Sequence, residues 1–260
     1  MDVEMKLNAR FFDLEGKSVL ITGGGSGIGA ALTEAFVMQG ARTAFLQRSD
    51  ATEFCDRIEG AHGKRPLFLP CDLTDIEALR RTVEEAARTH GPITVLVNNA
   101  ANDVRHKTEE LTVEEWDANH AINLRPYFFA SQTVIPGMRQ AGGGSIINFT
   151  SISYLKGGGG YPAYTTANAG ITGLTRSLAR EYGGDKIRVN AIAPGWVMTE
   201  KQLRLWATPE LLEDNLAAQR LKEKIQPEDI VGGCLFLASE SSRMVTAQVL
   251  PIDGGTVVTG

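Results

Sequence analysis

Short apolar runs recur along the chain at intervals that suit a β-sheet covered on both faces. Each run holds five or six residues, and most of these are Val, Ile, Leu, Phe or Ala. Short, largely apolar runs are typical of strands that are buried on both faces of a sheet. The pattern predicts strands at 18–22, 42–47, 66–70, 94–98, 145–150, 187–192 and 248–252.

Longer amphipathic stretches separate these runs and predict helices, among them 28–39, 75–89 and 163–182. Regular alternation of strand and helix predicts a parallel sheet with right-handed crossovers and helices on both faces. The expected fold class is therefore α/β, a doubly wound, Rossmann-like parallel sheet of about seven strands. No linker or change of composition divides the chain, so we predict one domain over 1–260 with an N-terminal extension at 1–13.

Composition excludes several classes of protein. The chain has 43% hydrophobic and 22% charged residues, which is typical of a globular protein, and its net charge is −5. No basic run could follow a phosphate backbone, so we expect no nucleic-acid partner. The three cysteines are scattered without metal-ligand spacing, which predicts no metal site and suits a reducing cytoplasm. No apolar stretch approaches the ~18 residues of a membrane span, so we expect a soluble cytoplasmic protein without membrane partners.

The stretch "TGGGSGIG" at 22–29 lies directly between the first predicted strand and the first predicted helix. Glycines at this point let the backbone turn sharply and approach a pyrophosphate, which the N–H groups and positive dipole end of the helix would bind. The alternative interpretation is a merely flexible glycine loop, but the strand-then-helix context favours nucleotide binding.

Thr22, Gly23, Gly27 and Gly29 have the spacing T-G-x-x-x-G-x-G, which resembles the short-chain dehydrogenase/reductase family. Further motifs follow in the family's order, and the resemblance extends from about residue 14 to residue 255. Within the family, the stretches "NNAANDVRHK" (98–107), "PGMRQAGGGSIINFTSIS" (136–153) and "LKEKIQPEDI" (221–230) most resemble bacterial sugar dehydrogenases of the D-xylose dehydrogenase type. The further motifs are "CDLTD" (71–75), "NNA" (98–100), "INL" (122–124), Ser151 with Tyr164, "PGWVMT" (194–199) and "IDGG" (252–255).

The resemblance implies an NAD(P)-dependent oxidoreductase that transfers a hydride between a nicotinamide and a sugar or sugar-derived hydroxyl or carbonyl. It implies catalytic roles for Asn123, Ser151, Tyr164 and the residue at position 168. It also assigns a cofactor-binding set, which comprises Gly23, Ser26, Gly27, Ile28, Gly29, Gln47, Arg48, Ser49, Asp72, Leu73, Asn99, Ala100, Tyr164, Asn168, Pro194, Gly195, Val197 and Thr199.

The residues that end the second predicted strand bear on the choice between NADP(H) and NAD(H). An acidic residue there would bind the ribose 2′-OH and repel a 2′-phosphate, whereas an arginine pairs with the phosphate. The chain has Gln47, Arg48 and Ser49 at this point, which favours NADP(H). The alternative is that Arg48 is a solvated surface side chain while Gln47 or Asp50 binds a 2′-OH. Related sugar dehydrogenases typically use NAD, so NAD(H) remains possible.

Position 168 departs from the family pattern. The family places a lysine four residues after the catalytic tyrosine, on the same helical face, where its charge favours tyrosinate. This chain has Asn168, which can bind a ribose hydroxyl but carries no charge. Lys156 could compensate, although it precedes a glycine run, and Ala101 stands where a glycine is usual. We predict a slow enzyme, and the alternative is an impaired or inactive NAD(P)-binding protein of the same fold.

Polar and aromatic residues follow the strand ends where open α/β sheets bind ligands. They predict a small polar substrate and a substrate lid at 196–217. Arg105, His106 and Lys107 could instead bind a carboxylate or phosphate. The resemblance also implies a homotetramer that pairs the helices predicted at 113–139 and 162–182. The substrate-binding set that we predict comprises Asn102, Arg105, His106, Ser151, Tyr154 and Trp196.

Overall fold

The computed structural model describes residues 7–258, and in it seven parallel strands form one sheet in the order β3-β2-β1-β4-β5-β6-β7. This arrangement confirms the predicted fold class, and each strand begins and ends within two residues of the predicted bounds. The strands are β1 (Ser18–Thr22), β2 (Arg42–Gln47), β3 (Leu67–Pro70), β4 (Val95–Asn98), β5 (Gly144–Phe149), β6 (Ile187–Pro194) and β7 (Val249–Ile252).

Ten α-helices connect and flank the strands within the described residues. Three of them, α1, α3 and α7, fall within one residue of the predicted amphipathic stretches. The helices are α1 (Gly27–Met38), α2 (Thr52–His62), α3 (Ile76–His90), α4 (Val113–Asn123), α5 (Arg125–Gln140), α6 (Ser153–Lys156), α7 (Pro162–Tyr182), α8 (Glu200–Leu205), α9 (Pro209–Ala218) and α10 (Pro227–Ala238).

The sheet separates two apolar cores because successive side chains of a strand point to opposite faces. Within β1, Val19 and Ile21 pack into a core shared with α1 and α10. Leu20, which lies between them, packs on the opposite face against α3 and α5. All five residues of β1 are buried, as the continuous apolar pattern predicts for a strand in the middle of such a sheet.

The single helix predicted at 113–139 is wrong in one respect, because the structure divides it into α4 and α5 at Leu124. Pro126 is the physical reason, since it has no N–H with which to continue the hydrogen bonding of α4. It is well placed instead in the first turn of α5, where an N–H would have no helical partner. The break leaves Asn123 at the end of α4, with its side chain buried beneath the cleft described below.

The predicted N-terminal extension at 1–13 lies partly outside the described residues. Within the described part, Leu7 and Phe11 pack against the core that contains α1. The backbone N–H of Phe11 also donates to the Gln39 side chain at 2.8 Å, which fixes this segment at the end of α1. No helix among residues 7–258 is long and apolar enough to cross a membrane.

Candidate active site

The strand order reverses between β1 and β4, and the loops after these two strands form the base of the site. Open α/β sheets bind ligands at this point because the diverging connections leave a crevice at the carboxyl ends of the strands. The Asn99 side chain ties the two loops together by donating to the carbonyl oxygens of Thr22 and Gly23, both at 3.1 Å. The hydroxyl of Thr22 accepts the backbone N–H groups of Asn99 and Ala100 at 3.0 and 3.1 Å.

The loop after β1 has room only for glycine at its closest approaches. A Cβ at Gly29 would lie 1.9 Å from the carbonyl oxygen of Gly23, and one at Gly25 would lie 2.5 Å from the Gln47 side chain. Gly23 and Gly27 have φ values of +70° and +53°, which favour glycine. The loop therefore brings backbone and the first N–H groups of α1 to the crevice, and this cradle fits the pyrophosphate of a dinucleotide.

The residues that we predict to bind the adenosine half of the cofactor lie at and after the ends of β2 and β3. Gln47 accepts the N–H of Gly25 at 2.8 Å and donates to the carbonyl oxygen of Ser49 at 3.0 Å, so its amide supports the glycine loop. Arg48 and Ser49 are exposed. The carboxylate of Asp72 accepts both the N–H and the hydroxyl of Thr74, and these bonds, with a smaller contribution from the charge of Arg48, lower the pKa of Asp72.

A cleft of about 490 Å³ continues from the glycine loop between the ends of β4, β5 and β6 and the helices α8 and α9. It gathers side chains from both the predicted cofactor set and the predicted catalytic set. The predicted residues that line it are Ile28, Asn99, Arg105, Asn123, Ser151, Tyr164, Asn168, Pro194, Gly195, Trp196, Val197 and Thr199.

Tyr164 and Asn168 lie one turn apart near the start of α7, and Ser151 follows β5 in the same cleft wall. The amide of Asn168 is buried and donates to the backbone carbonyl oxygen of Tyr164 at 2.9 Å. Burial raises the pKa of Tyr164 to about 12, and the nearby negative charge of Asp103 acts in the same direction. The side chains of Asn168 and Ser151 oppose this shift only in part. The tyrosine is consequently protonated at neutral pH.

Asn123 holds the loop that follows β4. Its side-chain oxygen accepts the N–H of Asn102 at 2.7 Å, and its amide donates to the carbonyl oxygen of Asn102 at 2.9 Å. The same amide also donates to the side chain of Asn119 at 3.0 Å. These bonds use most of the hydrogen-bonding capacity of the side chain, so Asn123 acts as a brace between α4 and the cleft wall.

The predicted substrate residues divide into two groups in the structure. Ser151, Arg105 and Trp196 line the cleft, whereas Asn102, His106 and Tyr154 do not. The hydroxyl of Tyr154 contacts that of Thr172 at 3.1 Å instead, and Asn102 is exposed.

A cluster of three polar side chains lines the cleft without having been among the predicted site residues. Asp103 follows β4, whereas Lys201 and Gln202 belong to α8, and the carboxylate of Asp103 accepts a hydrogen bond from each of the other two side chains. In the sequence, these three residues are indicated only by the polar character of residues 102–107 and of the predicted lid. Among residues 7–258, no cluster of three His, Cys, Asp or Glu side chains could hold a metal ion.

Comparison with known proteins identifies the family. Residues 23–257 match the family model described as "Enoyl-(Acyl carrier protein) reductase". The chain is 49% identical over 250 residues to "Probable galactose dehydrogenase GalD" of Rhizobium meliloti, covering 95% of this chain and 98% of that protein. It is 45% identical over 249 residues to D-xylose 1-dehydrogenase of Caulobacter vibrioides, with coverage of 95% and 98%.

A solved structure of similar shape contains a nucleotide. It is named "putative NAD(P) dependent gluconate 5-dehydrogenase" from Beutenbergia cavernae, with bound NADP at low occupancy. The TM-score is 0.88 at 34% identity, and the match covers 94% of this chain and 98% of that one. The match to the family model, the full-length relatives and the shared fold together confirm the resemblance found in the sequence, and the chain belongs to the short-chain dehydrogenase/reductase family of oxidoreductases.

Proposed function

We propose that this protein is an NAD(P)-dependent dehydrogenase that oxidises a neutral aldose at its anomeric carbon. The observation that carries the proposal is the convergence of Tyr164, Ser151 and the glycine loop on one cleft whose outer wall is polar. A wall of Asp103, Lys201 and Gln202 suits hydroxyl groups better than a steroid or fatty acyl chain. The similarity to proteins named galactose and D-xylose dehydrogenases supports the same substrate class.

The residues of the cleft have distinct tasks in this reaction. A bound nicotinamide would supply the hydride acceptor for the oxidation or the hydride donor for the reverse reaction. Tyr164 takes the proton of the anomeric hydroxyl, and Ser151 holds the same oxygen by a hydrogen bond. Pro194, Gly195, Val197 and Thr199 line the side of the cleft where the nicotinamide ring would lie.

Proton transfer is the weak step of this proposed mechanism. A general base works best when its pKa lies near the working pH, and the pKa of Tyr164 is about 12. The family resemblance predicts a lysine at the position of Asn168, whose amide is neutral and whose hydrogen bond goes to a backbone carbonyl oxygen. We therefore propose an enzyme with attenuated turnover that becomes faster as the pH rises.

We further propose that NADP(H) is preferred to NAD(H). Gln47 is engaged with the glycine loop, so the exposed side chains of Arg48 and Ser49 are the groups free to meet a ribose 2′-phosphate. The similar structure from Beutenbergia cavernae contains bound NADP, which supports the same preference. Asp72 would contact the adenine, and the positive charge of Arg48 helps to keep the pKa of Asp72 low.

A homotetramer is the assembly that we propose. The outer faces of α4, α5 and α7 support it, since Trp116 and Phe128 remain 37% and 41% exposed there. Small exposed residues such as Ala169 and Gly173 on α7 would allow close packing of a second copy. We also propose that segment 196–217 is the substrate lid and that the protein is cytoplasmic, since all three cysteines are free and buried.

A second candidate function is nucleotide binding without catalysis, and the neutral Asn168 beside a tyrosine of raised pKa favours it. A panel of aldoses assayed with NAD and NADP at high enzyme concentration between pH 7 and about pH 10 distinguishes the two. Formation of reduced cofactor with a pentose or hexose supports the dehydrogenase. Tight nucleotide binding without turnover of any sugar, at any pH in the range, would establish the second candidate.

A further inference from the structure

The ion pair between Asp103 and Lys201 lies in the substrate half of the cleft and connects two elements that are far apart in sequence. We infer that Asp103 and Lys201 form a hydroxyl-binding subsite for the non-reacting part of the sugar, and that Asp103 determines specificity for a neutral polyhydroxylated substrate. This inference rests on the proposed function and specifies where the sugar is recognised.

The geometry of the cluster is that of a built site. Lys201 Nζ donates to Asp103 Oδ1 at 2.8 Å and to Asn102 Oδ1 at 3.2 Å. The side chain of Gln202 donates to Asp103 Oδ2 at 2.7 Å, and its amide oxygen Oε1 accepts the indole N–H of Trp196 at 2.9 Å. Each carboxylate oxygen of Asp103 therefore receives one hydrogen bond, and its orientation is fixed from both sides.

Hydrogen-bonding capacity remains for a ligand. An ionised carboxylate has about four lone-pair sites, and the two bonds to Asp103 leave about two. The ammonium group of Lys201 has three N–H donors, of which two are used. Acceptors and a donor thus lie side by side, which is the arrangement that recognises neighbouring hydroxyls of a sugar. Gln202 has both ends of its amide engaged and is a positioning residue.

The cluster also lies at the right place relative to the chemistry. Asp103, Lys201 and Tyr164 line the same cleft, and the side chain of Asp103 is 24% exposed towards it. The charge of Asp103 is close enough to raise the pKa of Tyr164. Burial raises the pKa of Asp103 itself, but bonds from Lys201 and Gln202 outweigh it and leave the pKa below its usual range. Asp103 is therefore an ionised acceptor at neutral pH.

Other charged groups of the cleft do not duplicate this arrangement. Arg105 stacks its guanidinium on the ring of Trp206, 4.3 Å from the ring centroid. Lys156 is an exposed residue at the end of α6, and no salt bridge is found for it among the described residues. Asp214 comes from α9 and lines the lid side. Only Asp103 combines, among the described cleft residues, a partly buried carboxylate with a lysine partner within 4 Å.

The inference is tested by combining variants of Asp103 with sugars that each lack one hydroxyl group. The purified chain is assayed with an active aldose and with its single-deoxy analogues, each lacking one non-reacting hydroxyl, using wild type, Asp103→Ala and Asp103→Asn. In wild type, loss of the hydroxyl that Asp103 binds should lower kcat/KM by roughly tenfold to a hundredfold, as expected for a hydrogen bond to a charged group. In Asp103→Ala the same analogue and its parent should be turned over equally well, and the loss for the parent should appear mainly in KM.

Matched variants separate recognition from a merely structural role. Loss of a contact that only holds α8 in place would lower kcat/KM equally for every analogue and would leave the ratio between parent and deoxy sugar unchanged. Glu84→Gln removes an exposed carboxylate on α3 and should leave all ratios as in wild type. Lys201→Gln should reduce the penalty for the deoxy analogue whose hydroxyl accepts the third N–H. If no deoxy analogue changes its ratio in Asp103→Ala or Asp103→Asn, the subsite is wrong.

A measurement of sugar binding distinguishes failure of the proposed subsite from failure of the proposed function. Sugar is titrated into the NADP complex while the fluorescence of the tryptophans is recorded, since Trp196 is hydrogen-bonded to Gln202 in the cluster. If no sugar is oxidised but sugar binding is present in wild type and lost in Asp103→Ala, the proposed function fails and the subsite stands. If no sugar binds to the wild-type complex, the subsite is overturned as well.

Discussion

Replacing Asn168 with lysine introduces a positive charge one helical turn from Tyr164, where the structure has a buried neutral amide. With a pKa of about 12, roughly one Tyr164 side chain in ten thousand is ionised at pH 8. An opposite charge at close range lowers a pKa by about 1–3 units, so the ionised fraction should rise by roughly tenfold to a thousandfold. Tyrosinate becomes a weaker base as its pKa falls, and the net gain in turnover should therefore be smaller, about tenfold or 1.4 kcal/mol.

The rate of oxidation should depend on pH differently in wild type and in Asn168→Lys. Tyrosinate is the form that accepts a proton, so the wild-type rate of oxidation should rise with pH up to about 12. In Asn168→Lys the rise should level off at a lower pH, and the advantage over wild type should shrink as the pH approaches the wild-type pKa. Asn168→Met is the matched control because it has nearly the length of lysine without the charge.

The assay is the initial rate of reduced-cofactor formation between pH 6 and pH 10, with an aldose carrying hydrogen or deuterium at its anomeric carbon. A primary isotope effect shows that hydride transfer limits the rate being compared. Equal rates for Asn168→Lys and Asn168→Met at every pH, with the isotope effect present, would refute the idea that the missing charge at this position limits catalysis.

Three further predictions concern the cofactor, the glycine loop and the assembly. Arg48→Ala should weaken NADP(H) binding by about 1.5–3 kcal/mol and leave NAD(H) nearly unchanged in calorimetric titrations, and equal losses would remove the case for a 2′-phosphate contact. Gly29→Ala should abolish binding of both nucleotides and lower the Tm, because the new Cβ would lie 1.9 Å from the Gly23 carbonyl oxygen. The control is Gly60→Ala in α2, whose Cβ would meet nothing within 4 Å and which should be neutral or stabilise the fold by up to about 1 kcal/mol. Light scattering should give the mass of a tetramer for wild type and a smaller one for Phe128→Glu, and a wild-type monomer at micromolar concentration would count against the proposed assembly.

The fold follows from local patterns that the sequence displays directly. Strands in the middle of this sheet are buried on both faces, so their apolar runs are visible without knowledge of their neighbours. The glycine loop is equally local, because its φ values and close contacts exclude other residues at Gly23 and Gly29. The helix predicted at 113–139 runs through the break at Leu124, although Pro126 carries the signal for it.

The substrate side of the cleft depends on contacts that no local pattern encodes. Asp103 and Lys201 are 98 positions apart in the chain, and only the closed fold brings them together. His106 lies on the loop after β4 and Tyr154 in α6 after β5, as their places in the sequence suggest, but position after a strand does not determine side-chain direction. Tyr154 turns towards α7, where its hydroxyl contacts that of Thr172.

The most direct test of the central claim is the rate of reduced-cofactor formation with an aldose in wild type and Tyr164→Phe, measured beside nucleotide affinity. We predict slow but definite turnover in wild type that rises with pH, and none above background in Tyr164→Phe, with the Kd for the nucleotide unchanged. Full activity in Tyr164→Phe would contradict the account, because the group that accepts the proton would then lie elsewhere in the cleft.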